Sequence, residues 1–205
     1  MIDAIVCLFN FLNMKSLLPK LLVKNSALFI CDLQEKFRST IQNFSDVVIN
    51  SKKLIDVAKI LQIPIIATEQ YPKGLGKTVS EIDTMNMALF EKTHFSMCIT
   101  SLLVHIRKID IQNIILCGIE THVCIQQTSF ELLENGYAVY LIADATSSRS
   151  LLDRKIALKL MSSCQVKITT VESIILTLLK DSANPNFKII QKLLMKSSEN
   201  LDFLY

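Results

Sequence analysis

The sequence predicts an α/β fold, in which helices cover both faces of a mostly parallel sheet. Short continuous apolar runs such as "NIILCGI" at 113–119 are typical of strands that are buried on both faces. Segments with apolar residues at helical spacing follow these runs, as in "SDVVINSKKLIDVAKILQ" at 45–62. The 205 residues contain no linker rich in Gly, Pro or Ser, so one core is expected. Strands and helices that alternate within one domain indicate three layers.

The predicted elements alternate from residue 26 onwards. Strands are predicted at 26–32, 63–68, 87–92, 113–119, 138–144 and 166–170. Helices are predicted at 45–62, 99–108, 122–135, 150–161, 171–181 and 186–196, and the longest loop at 69–82. Ser150 and Asp153 form a capping-box pattern at the start of one helix, and Gly136 ends another. Together these elements predict a three-layer, Rossmann-like sheet of six strands in the order 3-2-1-4-5-6.

The predicted domain, residues 26–181, is flanked by two segments of different character. Residues 1–25 are interpreted as an N-terminal extension outside the core, with Met14 as an alternative start. Their apolar stretch has no preceding positive charge, no cleavage site and too little length to span a membrane. Neither a signal peptide nor a membrane anchor is therefore predicted. Residues 182–205 are interpreted as a helical tail.

The composition argues against several classes of protein. The formal net charge is +3, and basic and acidic residues are mixed along the chain, so no nucleic-acid partner is predicted. The six cysteines form no C-x-x-C pair and lie mostly in apolar runs, which indicates reduced thiols in the cytoplasm and not a disulfide framework. A mitochondrial location has less support, because the first arginine is Arg38 and a presequence would be rich in arginine.

Three chemically useful side chains fall where predicted strands end. Asp32 ends the first strand, Lys92 ends the third, and Cys124 lies in the first turn of the helix after the fourth. In an open α/β sheet, ligands bind beyond the carboxyl ends of the strands, where the strand order reverses. If the first and fourth strands are neighbours at that point, Asp32 and Cys124 face one crevice.

These residue types suit nucleophilic catalysis. A thiol becomes a good nucleophile once it loses its proton, and a helix N-terminus or a nearby ammonium favours the thiolate. A carboxylate can take that proton and return it to a leaving group, while backbone N–H groups stabilise an oxyanion. Each residue also has a purely structural interpretation: Asp32 as a helix cap, Lys92 as a surface charge and Cys124 as a core residue.

Several motifs resemble those of the isochorismatase-like cysteine hydrolases. The segment "FICDLQEKF" is similar to the opening motif of that family, "FEKTHFSM" to its lysine motif and "CGIETHVCIQQTSFELLENGY" to its cysteine motif. The segment "DATSSR" at 144–149 is similar to the one that follows the next strand in the family. The resemblance covers residues 26–181, and the three main motifs occur in the family's order.

The resemblance implies roles for the residues at the predicted strand ends. Asp32, Lys92 and Cys124 would form a catalytic triad. A cis peptide bond would join Ile119 to Glu120. The N–H groups of Glu120 and Cys124 would then point at the substrate oxygen.

The resemblance also implies a substrate pocket that contains Phe37, with Gln70 and Tyr71 after the second strand. Nicotinamidases of this family bind a metal through an Asp-x-His pair at this point, where the chain has Gln70 and Pro72. Neither residue is a usual ligand for a transition metal. No metal and no other cofactor are therefore predicted, and nicotinamide is not favoured as the substrate.

Two functions are consistent with these observations. The first is a cysteine-dependent hydrolase that acts on a small amide-like or related acyl or C–N substrate through a covalent acyl-enzyme. The second is a catalytically weak binding or scaffold protein, favoured by the missing metal pair and the bulky residues 120–122 at the oxyanion turn. A homo-oligomer, either dimer or tetramer, is also expected. The amphipathic helix at 186–196 lies either at its interface or on its own domain.

Overall fold

A six-stranded sheet, parallel throughout, forms the centre of the molecule. The computed structural model describes residues 20–195. Their strands are β1 (Ser26–Cys31), β2 (Ile65–Gln70), β3 (Ala88–Lys92), β4 (Asn113–Ile119), β5 (Ala138–Ser147) and β6 (Lys167–Thr169). They are arranged in the order β3-β2-β1-β4-β5-β6, and each pairing between neighbours is parallel. The predicted fold class and strand order are confirmed.

Helices cover both faces of this sheet. They are α1 (Phe44–Leu61), α2 (Thr100–Ile106), α3 (Gln126–Glu134), α4 (Leu151–Ser163), α5 (Val171–Leu179) and α6 (Phe187–Leu194). Single helical turns occur at Val23–Asn25, Glu35–Phe37 and Pro72–Leu75, and a π-helical turn at Thr121–Ile125. Between residues 20 and 195, no helix combines the length and the apolar character needed to cross a membrane.

The alternation of side chains along the strands divides the core into two halves. In β1, Leu28 and Ile30 pack on the side of α1, α5 and α6, whereas Phe29 and Cys31 pack on the side of α2, α3 and α4. Cys117 in β4 belongs to the first half, opposite Cys31. Both faces of the sheet are therefore buried, which accounts for the continuous apolar character of its strands.

Three predicted boundaries are wrong at the edge where the strands end. The second strand continues beyond 68 to Gln70, into the predicted loop. The helix predicted at 122–135 begins as the π-helical turn, and α3 starts only at Gln126. The fifth strand continues beyond 144 to Ser147, because its pairing with β4 resumes after an irregularity and places Gly118 beside Thr146. Polar residues at this edge are paired inside the sheet, so apolar periodicity did not identify them as strand residues.

The segment before β1 packs against the domain from residue 20 onwards. Leu21 is buried in the same half of the core as α1. Asn25 accepts a hydrogen bond from the side chain of Asn113, which ties the start of β1 to the start of β4. This part of the predicted extension therefore belongs to the packed structure. Residues 1–19, with the proposed alternative start at Met14, lie outside the described residues.

The C-terminal helix α6 packs on its own domain. Ile190 is fully buried, and Phe187, Leu193 and Leu194 pack against the same half of the core. Of the two roles considered for this helix, the structure thus supports packing within the chain. Residues 196–205 of the predicted tail lie outside the described residues.

Gly118 allows β4 to approach β1 at the point where the strand order reverses. It lies beside Cys31 with a φ of 115°, in a region that side chains rarely adopt. A Cβ atom at this position would overlap the carbonyl oxygen of Cys31 and lie 2.7 Å from its nitrogen. The neighbouring ends of β1 and β4 therefore require glycine here.

We expect Gly118→Ala to lower the free energy of unfolding by about 2–5 kcal/mol, because it combines backbone strain with overlap inside the sheet. Gly136→Ala is the matched control: its φ is 83°, but an added Cβ would meet nothing within 4 Å. This control should cost about 1–2 kcal/mol. Urea unfolding followed by circular dichroism measures both values, and equal losses would contradict the assigned constraint.

Candidate active site

Asp32 lies at the end of β1 in a buried, fully bonded position. Its φ is 51° and the residue is 1% exposed. One carboxylate oxygen, Oδ1, accepts a hydrogen bond of 2.8 Å from the hydroxyl of Thr68 on β2. The other, Oδ2, accepts one of 2.7 Å from Nζ of Lys92. The carboxylate is therefore held in one orientation by the two neighbouring strands.

Lys92 ends β3, and its ammonium group is enclosed by acceptors. Besides Asp32, Nζ donates to Oε1 of Gln70 at 2.6 Å and to the carbonyl oxygens of Phe95 at 2.9 Å and His94 at 3.1 Å. Burial disfavours the charged form, but electrostatic interactions with the acidic groups of Cys31, Asp32 and Cys124 outweigh burial and raise the pKa of Lys92. The group is therefore a buried cation at neutral pH.

Cys124 lies in the π-helical turn after β4 and is 8% exposed. Its sulfur lies within 4.8 Å of both a carboxylate oxygen of Asp32 and the sulfur of Cys31. The structure thus brings together the three residues that the sequence places at strand ends. It also adds Cys31, which the sequence analysis left in the core.

The end of β5 holds the turn that carries Cys124. The hydroxyl of Thr146 donates to the carbonyl oxygen of Gly118 at 2.8 Å and shares a hydrogen bond of 2.9 Å with the hydroxyl of Thr121. Ser148 bonds Nδ1 of His122 at 2.9 Å. The backbone N–H of Arg149 donates to a carboxylate oxygen of Glu120 at 2.9 Å. Residues 146–149 therefore position the cysteine turn from one side.

The Ile119–Glu120 peptide bond, which enters this turn, is cis. The carbonyl oxygen of Glu120 accepts hydrogen bonds from the N–H groups of Val123 and Ile125, at 3.1 and 3.2 Å. The role of the N–H groups of Glu120 and Cys124 as oxyanion donors stays a prediction.

The three predicted pocket residues have different positions. Tyr71 is 54% exposed and lines a cavity of about 270 Å³ together with Pro72, Lys73, Glu91, Lys92 and Thr93. Gln70 points its amide at Lys92 and at the carbonyl oxygen of Thr93, and so positions the ammonium group. Phe37 is partly buried against the half of the core on the α1 side and does not line this cavity.

The donor atoms at the strand ends fit a metal ion poorly. Cys31, Asp32 and Cys124 offer three atoms of suitable type within 4.8 Å of one another. However, the Lys92 ammonium already occupies the carboxylate at 2.7 Å, and a second cation beside it would be repelled. At the position of the nicotinamidase metal pair, the amide of Gln70 is engaged by that same lysine.

Sequence reasoning missed the residues that hold the catalytic candidates in place. Thr68, Thr146 and Ser148 are small polar residues at strand ends, where one hydroxyl decides the orientation of a neighbour. Gln34 was also missed: it is buried and bonds both the N–H and the carbonyl oxygen of Gln70, at 2.7 and 2.9 Å. Their position at the carboxyl edge of the sheet was the available signal, since polar residues buried there need partners.

Comparison with known proteins agrees with this fold. The family model described as the isochorismatase domain matches residues 26–173. Isochorismatase domain-containing protein 2 of Danio rerio is 46% identical over 186 residues, which are 90% of this chain and 94% of that protein. Isochorismatase domain-containing protein 1 of the same species is 45% identical over 175 residues. These cover 84% of this chain but only 62% of the relative, which is the longer protein.

Among solved structures, one described as the MAR1 ribonuclease from Caenorhabditis elegans superimposes with a TM-score of 0.86. It is 46% identical in sequence, and the match covers 91% of this chain and 98% of that one. The matched domain, these identities and the confirmed strand order lead to one conclusion. The chain belongs to the isochorismatase family.

Proposed function

We propose that this protein is a cysteine-dependent hydrolase that acts on a small amide-like or related acyl or C–N substrate. The observation that carries the proposal is the approach of the Cys124 sulfur to within 4.8 Å of the Asp32 carboxylate, which is itself bonded to Lys92. Covalent catalysis requires a nucleophile, a base and an orienting group that lie within reach of one another. Membership of the isochorismatase family supports the same reaction class.

In the proposed reaction, Asp32 takes the proton of the Cys124 thiol as the sulfur attacks the substrate carbonyl carbon. The Lys92 cation stabilises the negative charge that this transfer leaves in the site. The N–H groups of Glu120 and Cys124 donate to the oxyanion. Asp32 then returns the proton to the leaving nitrogen as the C–N bond breaks.

Water completes the proposed cycle. It attacks the acyl carbon of the thioester while Asp32 takes one of its protons. The carbon–sulfur bond then breaks, the acid is released, and the proton returns to the sulfur of Cys124. No residue beyond the three catalytic candidates and the two backbone donors is needed for proton transfer.

A binding or scaffold protein remains the second candidate, and the enclosure of the site favours it. The ammonium of Lys92 has four protein acceptors, and Cys124 is 8% exposed and does not line the 270 Å³ cavity beside Lys92. We do not extend the ribonuclease name of the C. elegans protein to this chain. The side chain of Lys92 is fully buried, so this cation is not accessible to an RNA phosphate.

Turnover of a substrate panel tests the hydrolase against the second candidate. The panel contains small amides, ureas, vinyl ethers and a single-stranded RNA. We expect at least one small amide or urea to be hydrolysed, and Cys124→Ala to reduce its kcat/KM by at least about 10³-fold.

Cys164→Ala is the matched control, because that thiol is exposed at the end of α4 and should be dispensable. Binding without turnover would favour the scaffold instead, and turnover that survives Cys124→Ala would contradict the role of Cys124 as the nucleophile. Cleavage of RNA alone would overturn the proposed substrate class.

Removal of the Lys92 cation tests how much the buried ion pair contributes to the stability of the fold. Lys92→Met leaves the Asp32 carboxylate buried without its partner, and we expect the free energy of unfolding to fall by about 3–5 kcal/mol. The double variant Asp32→Asn/Lys92→Met should lose less than the sum of the single changes, since a neutral amide needs no cation. The exposed pair of Lys52 and Asp56 offers the control, and Lys52→Met should cost less than about 1 kcal/mol.

The direction of the Lys92 pKa shift determines how the loss of stability in Lys92→Met depends on pH. Since folding raises the pKa of Lys92 above the ordinary value of 10.5, its contribution to stability is complete below that pH. The contribution is lost as the pH rises through the pKa of the folded state. The difference between wild type and Lys92→Met should therefore be constant from about pH 7 to 9 and shrink above pH 10.5. A difference that grows with alkaline pH would contradict the assignment.

We also propose assembly into a homo-oligomer, through a surface other than α6. Helix α4 leaves Leu152, Ile156 and Leu160 exposed at intervals of four residues, which places them on one face. Apolar stripes of this kind commonly mark contacts between protein chains. Light scattering should give the mass of two or four chains, and a single-chain mass would contradict the proposal.

A further inference from the structure

Cys31 lies beside Cys124 although the proposed hydrolysis gives it no task. It ends β1, is fully buried, and packs in the same half of the core as Cys124. The two sulfurs lie within 4.8 Å of each other, and Asp32 is the third member of the group. Two thiols and a carboxylate thus meet at the point where the strand order reverses.

The other described cysteines are placed differently. Cys117 lies on the opposite face of the sheet and points its sulfur at the carbonyl oxygen of Phe29. Burial raises the pKa of Cys117 to about 12 and that of Cys98 to about 11, so both stay protonated at neutral pH. Cys164 is exposed at the end of α4. Proximity therefore singles out one pair, Cys31 and Cys124.

The surroundings assign different roles to the two thiols. Burial, the neighbouring Cys124 thiol and the Asp32 charge together raise the pKa of Cys31 well above its usual range, so Cys31 does not react first with an oxidant. Its thiol donates a hydrogen bond of 3.4 Å to Oδ2 of Asp32, which is placed to accept the proton. Cys124 is 8% exposed whereas Cys31 is fully buried, so a small oxidant reaches Cys124 first.

We propose that Cys31 and Cys124 form a reversible disulfide when a hydroperoxide oxidises Cys124. Asp32 takes the proton of the Cys124 thiol as the sulfur attacks the peroxide. The O–O bond breaks and this proton passes to the leaving oxygen, which gives a sulfenic acid at Cys124 and an alcohol or water. The sulfur of Cys31 then attacks the sulfur of Cys124 and passes its proton to Asp32. The S–O bond breaks, and the hydroxide takes that proton and leaves as water. Two thiols are oxidised by two electrons, and one peroxide is reduced.

The gap between the two sulfurs is small enough for this bond to form after a short movement. A disulfide needs a sulfur–sulfur distance of about 2.05 Å, so the sulfurs must approach by less than about 3 Å. The consequence is protection, because a sulfenic acid without a neighbouring thiol proceeds to the irreversible sulfinic acid. The inference holds whether or not Cys124 is the nucleophile of the proposed hydrolysis, since it concerns the two sulfurs alone.

Peptide mapping of the full chain tests the proposal. The protein is treated with a small excess of hydrogen peroxide, free thiols are blocked with iodoacetamide, and the chain is cleaved after Lys, Arg and Glu without reductant. This cleavage places Cys31 in residues 25–35, Cys117 in residues 109–120 and Cys124 in residues 121–131, so each thiol is identified separately. We expect the peptides 25–35 and 121–131 to be joined with the loss of two hydrogen atoms, and dithiothreitol to separate them.

Variants of Cys31 provide the second measurement. In Cys31→Ser and Cys31→Ala, peroxide should convert Cys124 to the sulfinic acid, a gain of two oxygen atoms that dithiothreitol does not reverse. Cys164→Ser is the matched control and should form the linked peptide as wild type does. If wild type yields the sulfinic acid at Cys124 with Cys31 unmodified, the proposal is wrong. This result is measured on wild type, so it does not depend on whether the Cys31 variants fold. A link from Cys124 to another cysteine would overturn it equally.

Discussion

The buried ion pair between Asp32 and Lys92 is the interaction on which the candidate site depends. Two charges removed from water are stable only if they are close together and otherwise fully hydrogen-bonded. Here two residues of β2 provide further hydrogen bonds: Thr68 donates to the carboxylate, and Gln70 accepts from the ammonium. The ends of β1, β2 and β3 are thereby fixed relative to one another. The Lys92 cation would stabilise the negative charge that the Cys124 sulfur would carry in the proposed reaction.

The parallel sheet explains how residues distant in sequence reach this pair. Because the strands run in one direction, the residues that end them share one edge, and the reversal of strand order between β1 and β4 opens a crevice there. Gly118 lets the two strands approach closely at that point. The cysteine turn is then held from the far side by Thr146 and Ser148 after the pairing irregularity in β5. The geometry of the site therefore depends directly on how the strands pack in the sheet.

The sequence was sufficient for the sheet order, which the alternating strands and helices assign by analogy with Rossmann-like sheets. It also placed Asp32, Lys92 and Cys124 at one edge of the sheet, because the apolar runs of β1, β3 and β4 end close to them. It did not reveal the π-helical turn at Thr121–Ile125, since apolar spacing over five residues does not distinguish one helical form from another. Gln70 was expected in the pocket but bonds Lys92. Such partners depend on the register between strands, which periodicity does not supply.

Labelling with acrylamide tests the central claim most directly, because this small amide carries an electrophilic carbon that only an activated thiol attacks quickly. At neutral pH, Cys124 should react at least about tenfold faster than Cys164, although Cys124 is 8% exposed and Cys164 lies on the surface. Lys92→Met should remove that advantage in a variant that still folds. Faster reaction at Cys164, with Cys124 labelled only after denaturation, would contradict an activated thiol at this site.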